Sequence, residues 1–448
     1  MEAGMATIAA QEQAKPHALS AAGWRALAAS FLGWLFDGYE TYALILVAAV
    51  ALRQLLPPDQ LASLPIYIGG LLAVTLVGWA TGGIIAGVLA DYIGRKRVLM
   101  LSILWYALFT GLTAFATNYA SFVILRFLTG LGLGAEWGPG TAILGESWPP
   151  KSRARAASVL QSAFAAGLVL ASAVWLYVAP LGPSAWRYMF LIGVLPAFSV
   201  LWIRTGVRDP DLWVAARERR QLARQRLASG HPVSPSDRAL TGFTYKQILS
   251  SPELRRRLLL LLVLSLATVV AWWAVSTWIP FYAGQIAAKA GGNAQRWVAL
   301  AGLDYNLGGI LGFVVFGVLA DTWGRKPTMV LCYVGALVLV LVLFRAVQDP
   351  YTFLAVAAVN GFFTAGQFAW MPVYLPELFP TAVRGSAISL VFDVTRYLAA
   401  AGPLLAGWLI VTLGGMSTAA SIFGLVYILG IIVTPFAAPE TKGRPLPA

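Results

Sequence analysis

Apolar residues in this chain run in long unbroken blocks instead of alternating with polar ones. "LLLLLVLSLATVVAWWAVSTWIPFYAG", starting at Leu258, is one of them. A helix needs about 20 residues to cross about 30 Å of hydrocarbon, and this block is longer than a buried core helix requires. The pattern predicts twelve spans, at 24–52, 66–90, 98–117, 120–146, 154–179, 185–204, 258–285, 297–320, 328–346, 351–378, 385–412 and 417–437. The expected fold is an all-α membrane protein with twelve transmembrane helices in two pseudo-symmetric six-helix bundles. Its parts are a tail (1–23), an N-terminal bundle (24–204), a linker (205–257), a C-terminal bundle (258–437) and a second tail (438–448).

Composition supports the membrane reading. Only 11% of the residues are charged, against roughly 25% in soluble domains, and the mean hydropathy is +0.73. Met1–Ser20 is polar and Ala-rich, without the basic region, short apolar core and cleavage site of a signal peptide. The first apolar helix is therefore expected to stay as an anchor. Cys332 is the single cysteine, so no intrachain disulfide forms, and a small core residue is its expected role.

The net charge of +13 raises nucleic acid as a partner, but its distribution argues for membrane topology. With both termini placed in the cytoplasm, the inner segments hold 25 of the 32 Lys and Arg residues and the outer segments five. Arg126 and Arg396 remain inside spans. That bias is the positive-inside signal, with anionic headgroups as neighbours. The expected location is the bacterial inner membrane, with both termini inside and one chain as the functional unit. The linker joins a basic surface helix, "AARERRQLARQRLASG", to a turn-rich stretch, "HPVSPSD".

Two motifs repeat. "GVLADYIGRK" (Gly87–Lys96) returns as "GVLADTWGRK" (Gly317–Lys326), at an offset of 230. "ESWPPKSR" (Glu146–Arg153) and "ELFPTAVR" (Glu377–Arg384) share E-x-x-P-x-x-x-R, at an offset of 231. The chain therefore reads as a duplicated six-helix unit, the common build of secondary transporters. Each motif sets acids beside bases at an inner helix end. The cluster Asp91, Arg95, Glu146, Arg153, Asp321, Arg325, Glu377 and Arg384 is the expected cytoplasmic gate. End-capping with positive-inside anchoring is the plainer reading of each copy.

At these residues the chain resembles the major facilitator superfamily. G-x-x-x-D-x-x-G-R-K is its signature between the second and third helices, and "RFLTGLGLG" from Arg126 resembles its fourth-helix motif. The resemblance covers nearly the whole chain and implies two bundles rocking about a central site.

Ionisable residues inside spans mark function by default. Counting helical rise sets Asp37 about 20 Å above its helix's inner end, Glu136 about 15 Å and Arg396 about 18 Å. Glu40 and Arg126 come out higher, at about 24 and 30 Å. Asp37, Glu40 and Glu136 are the candidate proton-coupling acids, since His17 and His231 fall outside the spans. Arg396 has the planar fork that matches a carboxylate, and Asp393, one turn earlier, neutralises it when the site is empty. Arg126 pairs with Glu40 or helps to bind substrate. Asp304 reads as a water-facing residue near the outer end. Gln161, Asn306, Gln367 and Trp273 complete the candidate pocket, with interhelical hydrogen bonds the alternative for the three amides. Trp272, Trp278 and Tyr282 line a pocket or form an interfacial belt.

Two branches of the superfamily compete. "PETKG" from Pro439 and the acid after Gly38-Tyr39 resemble the sugar porters, whose first-helix acid couples protons by pairing with the fourth-helix arginine, here Arg126. Their Gln-rich seventh helix is missing from "ATVVAWWAVSTW". The stretch "EWGPGTAILGESWPPKSRARAASVLQSAFAAG" resembles the sialate and monocarboxylate proton symporters. Asp37-Gly38-Tyr39-Glu40 resembles the D-G-x-D of the aromatic-acid symporters, with Glu in place of the second Asp. Their eleventh-helix N-x-G-R here reads Asp393-Val394-Thr395-Arg396. The expected function is proton-coupled symport of a small organic acid: a monocarboxylate, a sialate-like acid or an aromatic acid. A sugar or polyol carrier and a non-transporting ligand sensor are the alternatives. No phosphate loop, metal-spaced cluster or nucleophile constellation is present in the sequence, so neither an enzyme nor a cofactor or metal is expected.

Overall fold

The computed structural model describes residues 21–149, 152–234, 237, 241–412, 415–437, 439–444 and 446–447. The tail up to Ser20, with Lys15 and His17, and Lys151 lie outside the described residues, as do Pro235 and Ser236 of the turn-rich linker.

Helices account for nearly all of it, and no strand occurs among the described residues. The first half holds α1 (Ala21–Leu55), α2 (Leu64–Ile93), α3 (Arg95–Thr113), α4 (Tyr119–Ser147) and α5 (Arg153–Val178). Its sixth traversal is broken into α6 (Trp186–Ile192) and α7 (Ser199–Gly206). The linker carries α8 (Asp211–Ala228) and α9 (Thr244–Ser250). The second half begins with α10 (Pro252–Ser276) and α11 (Ile279–Lys289), then α12 (Ala294–Thr322) and α13 (Arg325–Arg345). It continues through α14 (Pro350–Thr364), α15 (Trp370–Leu378) and α16 (Arg384–Thr412) to α17 (Met416–Gly424) and α18 (Tyr427–Ala437).

These segments make twelve traversals. Nine stretches of the described residues are long and apolar enough to cross a membrane. The other three traversals are α3, α4 and α16, which carry charge: Arg95–Arg97 in α3, Arg126, Glu136 and Glu146 in α4, and Arg384, Asp393 and Arg396 in α16. Four spans expected as single helices (185–204, 258–285, 351–378 and 417–437) are each two helices. Pro196 and Pro280 remove backbone donors at two of the breaks, and Gly366 and Gly424 loosen the other two. The linker is also more ordered than its sequence implied: α8 matches the expected basic helix, but α9 is an addition, and α10 starts six residues before Leu258.

The duplication is visible in the backbone. Gly94 and Gly324, between the second and third helix of each half, have φ of +112° and +111°, a region that favours glycine. Beside each sits a carboxylate. Asp209, just past α7, accepts from the Lys96 N–H at 2.9 Å. Glu440, just past α18, accepts from the N–H groups of Arg325 and Lys326 at 3.0 and 3.1 Å. Asp209 and Glu440 are 231 positions apart, as are Glu146 and Glu377. Each acid meets the orphan donors at a helix start, where a negative charge also suits the macrodipole. The end of each half is thereby tied to its middle.

The two halves meet chiefly through α2 with α16 and α5 with α12. Gly83 and Gly87 of α2 let α16 approach closely: a Cβ at Gly83 would lie 2.0 Å from Asp393 Oδ2, and one at Gly87 2.6 Å from the Ser389 side chain.

Candidate functional site

The central site is built by α1, α2, α4 and α5 of the first half and α10, α12 and α16 of the second. Asp37, Glu136, Asp393 and Arg396 meet here, all fully or nearly fully buried. Asp37 and Glu136 are close enough to interact electrostatically, and neither carboxylate has a hydrogen-bond partner among the described residues. Gly33, one turn before Asp37, makes room for Glu136: a Cβ there would fall 1.5 Å from Glu136 Oε1.

Two aromatic rings and a carboxylate contact Arg396. Its guanidinium carbon lies 4.4 Å from the Trp79 ring centre and 3.8 Å from that of Phe392. Nη1 donates to Asp393 Oδ1 at 2.5 Å and to the Phe392 carbonyl at 3.4 Å. Nε has no partner among the described residues. The side chain borders a narrow internal cavity. Gln161 and Trp273 line the same cavity, together with the aromatic rings of Trp34, Phe164 and Trp272. Gln161 Oε1 accepts from Trp137 Nε1 at 3.1 Å.

Glu40 and Arg126 form an ion pair in a second, smaller cavity, and both are buried. Trp79 and Trp273 line both cavities and so stand between the two tiers. Phe190 covers the Arg126 guanidinium at 5.1 Å.

Asn306 and Gln367 lie apart from the central cavity. Asn306 donates to the Gly302 carbonyl of its own helix at 2.7 Å. Gln367 donates to the Thr364 carbonyl at 2.7 Å and lines a separate cavity with Arg325 and Trp370. Asp304 is half-buried on α12. Trp278 and Tyr282 contact Phe281, Phe344 and Phe353, away from the central rings.

At the end of the molecule that carries the basic loops, two matched clusters form. Arg95 bridges Asp91 at 3.3 Å and Glu146 at 3.2 Å. Arg325 bridges Asp321 at 3.1 Å and Glu377 at 2.7 Å. The ties between halves are unequal. Arg384 crosses to Glu146 at 3.2 Å, whereas its counterpart Arg153 donates to the Gly145 carbonyl of its own half. Asp91 of α2 also crosses, accepting from the Ser386 N–H at 3.0 Å and its hydroxyl at 2.7 Å. Ser386 lies in the first turn of α16, so Asp91 caps a helix of the other half. The opposing contact, Arg155 with Asp321 at 3.7 Å, is exposed. Linker residues reinforce this end: Arg220 donates to the carbonyls of Asp91 and Ala382, and Tyr245 to that of Ile84.

Sequence reasoning did not find Gly33, Trp79, Phe392, Asp209 or Glu440. Gly33 and Phe392 each lie four residues before a residue already singled out, so helical spacing was an available signal. Asp209 and Glu440 lie at the repeat offset. Trp79 had no one-dimensional signal.

Residues 26–448 match the family described as "Sugar (and other) transporter". A probable 4-methylmuconolactone transporter from Cupriavidus pinatubonensis is 31% identical over 93% of this chain and 90% of that one. The sialic acid transporter NanX of Escherichia coli is 26% identical over 92% and 91%. Among solved structures, the proton:xylose symporter XylE bound to 6-bromo-6-deoxy-D-glucose superposes with a TM-score of 0.76 at 19% identity, covering 96% of this chain and 98% of that one. The twelve traversals, the repeated turns and this full-length match agree: the chain belongs to the sugar (and other) transporter family of the major facilitator superfamily, and is a multi-pass membrane transporter, not an enzyme.

Proposed function

We propose that this transporter carries a small organic acid together with protons, by alternating access, as a single chain in a bacterial inner membrane with both termini in the cytoplasm. The observation that carries the proposal is Arg396. Trp79 and Phe392 pack against its guanidinium and Asp393 holds Nη1, while Nε has no partner among the described residues and the side chain borders the central cavity. A guanidinium presented in this way matches the planar fork of a carboxylate.

Coupling follows from charge. With Asp37, Glu136, Asp393 and Arg396 all ionised, the tier would hold two net negative charges before any anion entered. Close, buried charges of one sign are expensive in low dielectric. An anionic substrate would raise the charge to three, so its entry favours protonation of the Asp37–Glu136 pair. Release of those protons on the other side then disfavours keeping the anion. The relatives named for a muconolactone and for sialic acid support a small organic substrate. Closure at the basic end by Asp91, Glu146 and Arg384 supplies the gate that alternating access requires.

The test is uptake of labelled acid into proteoliposomes under an imposed inward proton gradient, with protein-free liposomes correcting for passive entry. Gradient-driven accumulation that disappears in Asp37→Asn is expected; uptake indifferent to the gradient would sink the coupling. The sugar alternative has the buried Glu40–Arg126 pair in its favour, and xylose flux without acid flux would establish it.

A further inference from the structure

We infer that Thr441 makes the gate at the basic end one-sided: its hydroxyl holds the Glu377 oxygen that Arg153 would otherwise reach, so closure hangs on one arginine–glutamate tie between the halves instead of two. Such a gate serves the carrier whatever its cargo.

The duplication supplies the comparison. Glu146 and Glu377 are counterparts at an offset of 231, and so are Arg153 and Arg384. The two arginines are seated alike. Arg153 Nε donates to the Gly145 carbonyl at 3.1 Å, and Arg384 Nε donates to the carbonyl of its counterpart, Pro376, at 3.3 Å. From that seat Arg384 crosses to Glu146 at 3.2 Å. Arg153 makes no such tie to Glu377, although α5 and α15 pack together, both side chains are buried, and the Glu377 charge acts on Arg153. Arg153 Nη1 has no partner among the described residues. Leaving a buried guanidinium nitrogen unpaired beside a buried carboxylate is costly, so something holds the carboxylate away.

The difference lies in what the two glutamates already bind. Glu146 takes Arg95 and Arg384 on Oε1, and its Oε2 is unpartnered among the described residues. Glu377 is engaged on both oxygens. Arg325 grips it with Nη2 on Oε1 at 2.7 Å and Nε on Oε2 at 3.2 Å, and the Thr441 hydroxyl donates to Oε2 at 2.6 Å. The fork fixes the carboxylate plane, and the hydroxyl fills the second lone pair of Oε2. Thr441 is buried and pinned from both sides: Tyr374 donates to the Pro439 carbonyl at 2.5 Å, and the Lys442 ammonium to the Thr322 carbonyl at 2.6 Å. At the matching position, 231 residues earlier, the first half has Pro210, which carries no side-chain donor. One glutamate is thus free to pair across the interface and the other is not. A gate closed by a single tie opens more readily than one closed by two, and a carrier must open it in every cycle.

A buried cysteine can read this opening. Ser389 of α16 is fully buried against Gly87 and Gly138 of the first half. Ser389→Cys, in a Cys332→Ser background, should therefore react with a polar maleimide only when the halves part. Its labelling rate in nanodiscs then scales with the open fraction, even a small one. Thr441→Val keeps the shape, removes the donor and frees Glu377 for Arg153. One added charge-assisted tie should slow labelling about tenfold. Thr441→Ala should act alike and decides the matter if the valine variant does not fold. Thr441→Ser keeps the hydroxyl and should label at the parental rate. Arg153→Gln should change the parental rate little, yet abolish the slowing in Thr441→Val, which a mere packing effect would not do. Folded Thr441→Val or Thr441→Ala labelling at the parental rate or faster overturns the one-sided gate, as does slowing that survives Arg153→Gln.

Discussion

Replacing Asp91 with alanine should open the basic end of the molecule. Asp91 reaches across the interface to the first turn of α16, where one oxygen accepts from both the N–H and the hydroxyl of Ser386, at 3.0 and 2.7 Å. Hydrogen bonds to a charged group contribute roughly 1.5–3 kcal/mol each. The two share one oxygen and water replaces them once the halves part, so about 2–4 kcal/mol is a fair joint figure. At 1.4 kcal/mol per tenfold, the ratio of open to closed molecules should rise about 30- to 700-fold. Arg95 keeps Glu146 as a partner, which limits damage to the first half itself. The assay is double electron–electron resonance in nanodiscs between spin labels at Arg97→Cys and Trp323→Cys, in a Cys332→Ser background. Both labelled positions are exposed, one in each half, and Cys332 is buried. Asp91→Ala should populate longer distances, and Asp91→Ala with Glu146→Gln, which also weakens the tie to Arg384, should do so further. A folded double variant with the parental distance distribution would refute the latch argument.

Gly33→Ala should push the Glu136 carboxyl away from Asp37, because a Cβ cannot sit 1.5 Å from its oxygen; proton-driven uptake should fall at least tenfold while the melting temperature changes little. Truncating Arg126 alone to alanine strands Glu40 in a dry site and should cost about 3–5 kcal/mol, whereas Glu40→Gln combined with Arg126→Met should recover most of it, as read by thermal unfolding in detergent. At Glu440, burial works against the charge, but the N–H groups of Arg325, Lys326 and Lys442 outweigh it and hold the carboxyl below its ordinary value of 4.5. A depressed folded pKa stabilises above the unfolded value, so Glu440→Gln should lower stability by about 1–2 kcal/mol at neutral pH, and the difference should shrink as pH falls below about 4.5. A gap that stayed constant down to pH 3 would refute the sign.

Fold and site were legible in the sequence to different depths. Span number and duplication could be read because both are one-dimensional: apolar run length, and two motifs recurring at nearly the same offset. The levels of Asp37, Glu136 and Arg396 followed from helical rise, since depth depends only on position along a helix. Which face a residue turns is harder to read. Asn306 and Gln367 were grouped with the pocket because they are polar and lie in spans, yet their amides serve nearby backbone carbonyls. Trp79 reaches Arg396 from a helix more than 300 positions away, and no spacing rule joins them. The broken traversals were partly visible in Pro196 and Pro280, but a proline can kink a helix or end it, and packing decides which.

The paired carboxylates Asp209 and Glu440 bear on how the chain is made. Each follows the last helix of its half and binds back to the start of that half's third helix. Asp209 stands near the start of the linker and emerges from the ribosome before any residue of the second half. The first six helices therefore carry their own fastener and can lock as a finished body while the rest is still being synthesised. Two units that each close on themselves need only a tether to be joined, which makes the gene duplication recorded in this sequence an easy step for folding to accommodate.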